Sequence, residues 1–135
     1  MALFSWSDDY SVKVPSIDAQ HHRLVDMLNE LHDGMVAGKA AEHVASVLDG
    51  LIAYTAQHFS YEEELFAKYA YPESAEHIAE HQKLVEQVVA FKTKLLAKEA
   101  TITMELVKFL KNWLIGHILG SDKKYSALLV EQRVE

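Results

Sequence analysis

The sequence lacks several features that would point to other classes of protein. It contains no cysteine, which excludes disulfides, thiolate metal sites and a cysteine nucleophile. Only two prolines and five glycines are present, so long stretches are free to form uninterrupted helices. The 13 Lys and Arg residues are outnumbered by 20 Asp and Glu and form no basic cluster, which argues against nucleic acid or an anionic membrane as a partner.

Signals for export or membrane insertion are missing as well. The first nine residues, Met-Ala-Leu-Phe-Ser-Trp-Ser-Asp-Asp, are not basic and open no apolar run of signal-peptide length. No stretch approaches the ~18 apolar residues of a membrane span. With the absence of cysteine, this pattern predicts a cytoplasmic protein. At 135 residues the chain is expected to form one domain, 1–135, with its own hydrophobic core.

Apolar residues recur every three or four positions along four segments, which is typical of amphipathic helices. Helices are predicted at about residues 18–37, 41–69, 73–97 and 102–119, with a short terminal helix at 122–130. Ser16 or Asp18 is the expected N-cap of the first helix and Thr101 or Thr103 that of the fourth. Residues 1–15 form a predicted extended arm, in which apolar residues from Phe4 onward alternate with polar ones. The fold class is therefore predicted as all-α, an up-down-up-down four-helix bundle.

Seven residues capable of binding metal ions fall on or near the apolar faces of these helices. They are His21, His58, Glu62, His77, His81, His117 and Asp122. His58 and Glu62 are four residues apart and therefore lie on one helical face. His77 and His81 repeat this spacing on the next helix, a pattern with which one helix can hold one ion. Imidazoles and carboxylates bind iron, zinc and copper, and helical bundles build such sites from facing helices.

Helical phase distinguishes the candidate ligands from the other histidines. Steps of three and four residues along the apolar face of the first helix lead to His21, whereas His22 is rotated by about 100° toward solvent. His32 and His43 are likewise interpreted as non-ligands. In the acidic run Glu62–Glu64, only Glu62 is in phase with the apolar face, and the rest is interpreted as a solvated surface.

Asp122 does not follow a regular helix. It lies five residues after His117, a step of about 500°, which turns it about 140° away from the face that carries the histidine. Gly120 stands between the two residues. The helix is therefore predicted to break or tighten there, so that Asp122 swings back toward the core.

A metal centre explains the buried polar residues better than a purely structural role does. A single histidine on an apolar face is most often a hydrogen-bonded core residue, but five histidines and two carboxylates would leave many buried groups unmatched. An unpaired buried carboxylate alone costs several kcal/mol. Seven ligands exceed the four of a zinc site and suit two ions that share carboxylates. Nitrogen and oxygen donors without sulfur favour iron or manganese.

Four motifs, taken in order, resemble those of the hemerythrin family, specifically the bacterial hemerythrins. They are Ile17-Asp18-Ala19-Gln20-His21, His58-Phe59-x-x-Glu62-Glu63, His77-x-x-x-His81 and Trp113-Leu114-x-x-His117-Ile118-x-x-x-Asp122. The resemblance spans nearly the whole chain and implies a non-haem di-iron centre that binds O2 reversibly for storage, delivery or sensing. It implies no catalytic residue and leaves any protein recipient of O2 unspecified.

The resemblance also implies a role for each site residue. One iron would be held by His77, His81 and His117, and the other by His21 and His58. Glu62 and Asp122 would bridge the two iron ions together with an oxo or hydroxo group. The O2 pocket would be lined by Leu24, Trp113 and Leu114, and Tyr125 would contact the centre from outside the ligands.

Two other functions remain open at this stage. A di-iron enzyme with peroxidase, oxidase or nitric oxide-handling activity is the first, and an iron-binding bundle without an O2 role is the second. Ferritin-like di-iron enzymes use Glu-x-x-His motifs. None of the five candidate histidines follows a glutamate at that spacing, which favours O2 binding over the oxidation of substrates.

Overall fold

The structure, a computed structural model, describes residues 5–97 and 104–135, without the side chains of Ala41, Leu95 and Leu96. Its helices are α1 (Pro15–Val36), α2 (Ala41–Tyr69), α3 (Ser74–Leu96), α4 (Met104–His117) and α5 (Lys123–Glu131). Phe4 of the predicted arm and the predicted caps Thr101 and Thr103 lie outside the described residues.

The four long helices form the predicted up-down-up-down bundle. Helix α1 packs against both α2 and α4, and α2 also packs against α3. A π-helical turn, Ile118–Asp122, joins α4 to α5 without a loop. The described ranges contain no strand, which confirms the all-α fold class. Within the same ranges, no helix is long and apolar enough to cross a membrane.

Two apolar clusters fill most of the interior, and a polar layer separates them. One contains Leu24, Val25, Leu28, Leu31, Val44, Leu48, Leu51, Val107, Leu114 and Ile118. The other contains Val12, Val14, Ile17, Phe66, Tyr71, Tyr125 and Leu129. Burial of one large aliphatic or aromatic side chain contributes about 1.5–3 kcal/mol. Along α1 one cluster lies on each side of His21, and along α2 one lies on each side of the pair His58 and Glu62. Apolar packing on both sides therefore fixes the position of the polar layer.

Helix α1 starts earlier than predicted, because Pro15 occupies its first turn, where a missing N–H costs nothing. Val14 is the N-cap, so the prediction of Ser16 or Asp18 is wrong, and Asp18 lies inside the first turn. Its carboxylate instead holds the arm, accepting hydrogen bonds from the Val12 N–H at 2.8 Å and the Ser11 hydroxyl at 2.6 Å. The arm also contains one turn of 3-10 helix at Asp8–Tyr10, and so is not extended throughout.

The irregularity predicted near Gly120 is present, but the helix widens there instead of breaking or tightening. The π-helical turn Ile118–Asp122 closes its hydrogen bonds over five residues instead of four. A five-residue step therefore returns to nearly the same face. The wide turn places Asp122, which is completely buried, on the side of the helix that carries His117.

Candidate metal centre

The seven candidate ligands lie together in the polar layer, and each is buried. They form two groups, and within each group one ligand atom per residue lies within 4.8 Å of all the others. The first group comprises Glu62, His77, His81, His117 and Asp122, and the second comprises His21, His58, Glu62 and Asp122. We call these the three-histidine position and the two-histidine position. They share both carboxylates, which is the arrangement expected for two adjacent ions.

The Asp122 carboxylate spans the two positions. Its Oδ1 lies 3.0 Å from Nε2 of both His77 and His117. Its Oδ2 lies 3.0 Å from Nε2 of His21. One oxygen therefore faces each position, as in a carboxylate that bridges two ions.

The Glu62 carboxylate faces both positions with one oxygen. Its Oε1 lies 3.1 Å from His58 Nε2 and 3.5 Å from His81 Nε2. The hydroxyl of Tyr125 donates a hydrogen bond to the other oxygen, Oε2. Burial raises the pKa of the Tyr125 hydroxyl well above its usual value, and the charges of Asp122 and Glu62 add to the effect. Tyr125 therefore stays protonated and fixes the orientation of Glu62 from outside the cluster.

The imidazole nitrogens of the three-histidine position converge. Nε2 of His117 lies 3.1 Å from Nε2 of His77 and 3.1 Å from Nε2 of His81. An ion about 2.1 Å from two ligands at right angles holds them about 3.0 Å apart. The observed spacing is thus that of neighbouring ligands on one ion.

Unpaired polar atoms test whether this cluster suits metal ions. Among the described residues, six buried atoms have no hydrogen-bond partner: His21 Nδ1 and Nε2, Glu62 Oε1, His117 Nδ1 and both Asp122 oxygens. The 3.0 Å distance from His21 to Asp122 is short, but the two groups are not aligned as a hydrogen bond. Each unpaired buried atom costs about 1–3 kcal/mol. Four of the six face the two positions, where cations would satisfy them, so the donor set fits a pair of ions.

Charge in the cluster keeps both carboxylates ionised. Burial and the nearby Asp122 each act to raise the pKa of Glu62, but His58 and His81 outweigh them and lower it. Burial also opposes charge on Asp122, yet the three imidazoles about 3.0 Å from its oxygens, that of His117 first, hold its pKa well below the usual value. For His117, burial lowers the pKa, but the close Asp122 carboxylate outweighs burial and the net pKa is raised. The negative charge required to bind cations is therefore in place.

Aromatic rings fix the imidazoles of the three-histidine position. Phe59 stacks on His81 with ring centroids 3.7 Å apart and an interplanar angle of 3°. Trp113 stacks on His117 at 4.4 Å and 14°. The stacking of Phe59 could not be predicted from the sequence motif that contains it, because stacking depends on side-chain orientation across helices.

A cavity of about 50 Å³ lies against the two-histidine position. Its lining includes the three predicted pocket residues, Leu24, Trp113 and Leu114, together with His21, Leu28, Leu51, Thr55, His58, Phe59, Leu84, Leu110, His117 and Asp122. One water needs about 10–15 Å³ of such space, so the cavity has room for a diatomic molecule. The Thr55 hydroxyl donates to the Leu51 carbonyl oxygen at 2.7 Å, which leaves the rest of the lining apolar apart from the candidate ligands.

Two contacts just outside the cluster were not predicted. His58 Nδ1 lies 2.6 Å from Gln20 Oε1, and His81 Nδ1 lies 3.1 Å from Glu63 Oε2. Gln20 and Glu63 each stand next to a candidate ligand in the sequence, and this adjacency is the signal that could have predicted their contacts. By contrast, His22 is half-exposed beside Asp26 and takes no part in the cluster.

The wide turn supplies a direct test of the site. Inserting one alanine after Gly120 is expected to rotate Asp122 by about 100° and abolish metal binding. Deleting Gly120 leaves a four-residue step, which keeps Asp122 on the face of His117, so most metal binding should persist. The Fe(II)-to-protein ratio after anaerobic loading measures both effects, with circular dichroism to confirm helix content. A folded insertion variant that binds as much iron as the parent would contradict this assignment.

The fold and the cluster define a class of protein: a four-helix bundle that holds a histidine-rich centre for two cations. Residues 12–129 match the family model described as the hemerythrin HHE cation binding domain. The chain belongs to the hemerythrin family, as its motifs predicted.

Individual relatives agree with this assignment. The chain is 37% identical over 126 residues to a bacteriohemerythrin of Stenotrophomonas maltophilia, covering 93% of this chain and 81% of that protein. It is also 37% identical over 130 residues to a bacteriohemerythrin of Methylococcus capsulatus, covering 96% and 98% of the two chains. A crystal structure of wild-type hemerythrin matches with a TM-score of 0.91 and 36% identity, over 95% of this chain and 98% of that chain.

Proposed function

We propose that this protein binds O2 reversibly at a non-haem di-iron centre, in the storage, delivery or sensing of oxygen. The observation that carries the proposal is a pair of adjacent cation positions beside a small apolar cavity, which is lined by both histidines of the two-histidine position and by only His117 of the three-histidine position. Membership of the hemerythrin family supports iron as the metal and O2 as the ligand. The absence of cysteine is compatible with action in the reducing cytoplasm.

The proposal assigns a role to each member of the cluster. One iron is held by His77, His81 and His117, and the other by His21 and His58. Glu62 and Asp122 would be shared by the two ions, and an oxo or hydroxo group would complete the centre. Nitrogen and oxygen donors without sulfur suit iron. The two-histidine position has one protein ligand fewer, and the cavity lies on its side of the cluster.

Side chains around the cavity favour binding over turnover. When bound, the iron pair supplies the electrons and the open coordination site that O2 requires. Leu24, Trp113 and Leu114 exclude water from that site, which limits the loss of bound ligand and irreversible oxidation. The Thr55 hydroxyl is committed to the backbone, so it delivers no proton into the cavity.

The family identifies the protein as an O2 binder rather than an enzyme. Oxygen uptake separates reversible binding from peroxidase, oxidase or nitric oxide-handling activity. We expect the reduced, iron-loaded protein to take up one O2 per iron pair and to release it when O2 is removed. Continuous O2 uptake in the presence of a reductant, beyond one equivalent per centre, would instead favour the enzymatic alternative.

The apolar cavity gives a prediction about the lifetime of the O2 complex. Leu24 is buried beside His21 and lines the cavity. Leu24→Asn keeps the size of the side chain but brings a polar amide and water to the two-histidine position. We expect the O2 complex to decay about tenfold faster, since the apolar shell controls solvent access. Leu24→Met is the matched apolar control, and decay of both variants at the wild-type rate would contradict the proposed role of the cavity.

A further inference from the structure

We propose that Gln20 and Glu63 make the two metal positions unequal, so that the ion at the two-histidine position exchanges faster than the ion at the three-histidine position. Both are positioning residues, because each acts on the metal through an imidazole. The inference rests on the proposed di-iron centre. It adds an order of loading and release that the set of ligands does not itself specify.

The three-histidine position is supported by carboxylates. Glu63 Oε2 lies 3.1 Å from Nδ1 of His81, a buried ring. Glu80 Oε2 lies 3.9 Å from Nδ1 of His117, too far for a hydrogen bond, so Glu80 acts on this ring only through its charge. A carboxylate that accepts the proton of one imidazole nitrogen fixes the ring and makes the other nitrogen a stronger ligand.

The two-histidine position has weaker support. His58 Nδ1 lies 2.6 Å from the amide oxygen of Gln20, a close but uncharged acceptor. His21 Nδ1 has no hydrogen-bond partner among the described residues. Neither imidazole is therefore strengthened by a negative charge at Nδ1.

The two differences act in the same direction. The two-histidine position has fewer protein ligands, and its histidines also lack a carboxylate partner at Nδ1. Removing an outer partner of a metal ligand typically weakens metal binding by about 10- to 100-fold. Glu63 is partly exposed, so solvent screening places its effect at the lower end of that range.

Release of iron to a chelator tests this inequality. The full-length protein is loaded with two Fe(II) per chain without O2 and mixed with an excess of a colour-forming Fe(II) chelator. We expect two phases of one iron each, with rates that differ about tenfold or more. Glu63→Gln should accelerate the slow phase about tenfold and leave the fast phase unchanged. Gln20→Glu, nearly the same shape with an added charge, should slow the fast phase.

Matched controls separate these effects from a change in net charge. Glu64→Gln removes the same charge from the adjacent, exposed residue, and Gln87→Glu adds a charge on an exposed part of α3. Both controls should leave the two phases as in the parent protein. Release of both irons in a single phase from the parent, or equal behaviour of Glu63→Gln and Glu64→Gln, would overturn the inference while leaving the di-iron centre intact. Failure of the parent to take up two irons would instead count against the proposed function.

Discussion

Replacing His81 with alanine is expected to reduce the iron content from two ions per chain to one at most. Nε2 of His81 lies 3.1 Å from Nε2 of His117 and 3.5 Å from Oε1 of Glu62, so its loss opens the three-histidine position. The substitution also leaves the ring of Phe59 without its stacking partner. A bridged pair of ions depends on both positions, and we therefore expect O2 binding to be lost completely.

His22→Ala is the matched control, because it removes a histidine only one residue from a candidate ligand. His22 is half-exposed and lies 3.3 Å from Asp26, outside the metal cluster. Both variants are loaded with Fe(II) under anaerobic conditions, and iron and protein are measured after desalting. Two irons per chain in His81→Ala, or a marked loss of iron in His22→Ala, would show that the helical phase was misassigned.

Removing the metal is expected to lower the free energy of unfolding by about 4 kcal/mol or more. Four unpaired polar atoms of His21, Glu62 and Asp122 face the two positions, and each costs about 1 kcal/mol at least when unsatisfied. Mass action gives the same magnitude: a ligand present at 1,000 times its Kd adds about 4 kcal/mol to the free energy of unfolding. For a domain of this size, the change corresponds to a fall in Tm of roughly 15 °C.

Thermal unfolding followed by circular dichroism measures this difference. The iron-loaded protein, the chelator-treated protein and the reloaded protein are compared at the same pH and ionic strength. Reloading should restore the higher Tm, because binding to the folded state alone produces the stabilisation. Equal values of Tm with and without iron would show that the buried ligands are satisfied in some other way.

Helical periodicity was sufficient to find the candidate ligands that lie on regular helices. His58 and Glu62, for example, are one turn apart on α2, and a regular helix must place both on one face. The same reasoning separates His21 from His22, which the structure places inside and outside the cluster. Scarcity of proline and glycine similarly left few alternatives to a helical bundle.

Features that depend on packing between helices were beyond sequence periodicity. The prediction that the helix breaks or tightens near Gly120 was wrong. A break, a tightening and a widening all interrupt the apolar pattern in the same way, so the pattern does not distinguish them. Asp18 was predicted as a helix cap, but it binds the arm because Pro15 had already started the helix. Glu63 was assigned to a solvated face, although it lies against His81 of the neighbouring helix.

Reversible O2 binding is tested most directly by the visible absorption spectrum of the reduced, iron-loaded protein during cycles of O2 addition and removal. We predict a charge-transfer band that appears with O2, disappears when O2 is removed and returns in later cycles, with an amplitude that saturates at one O2 per iron pair. A spectrum that does not respond to O2, or a single change that removal of O2 does not reverse, would contradict an O2-binding di-iron centre.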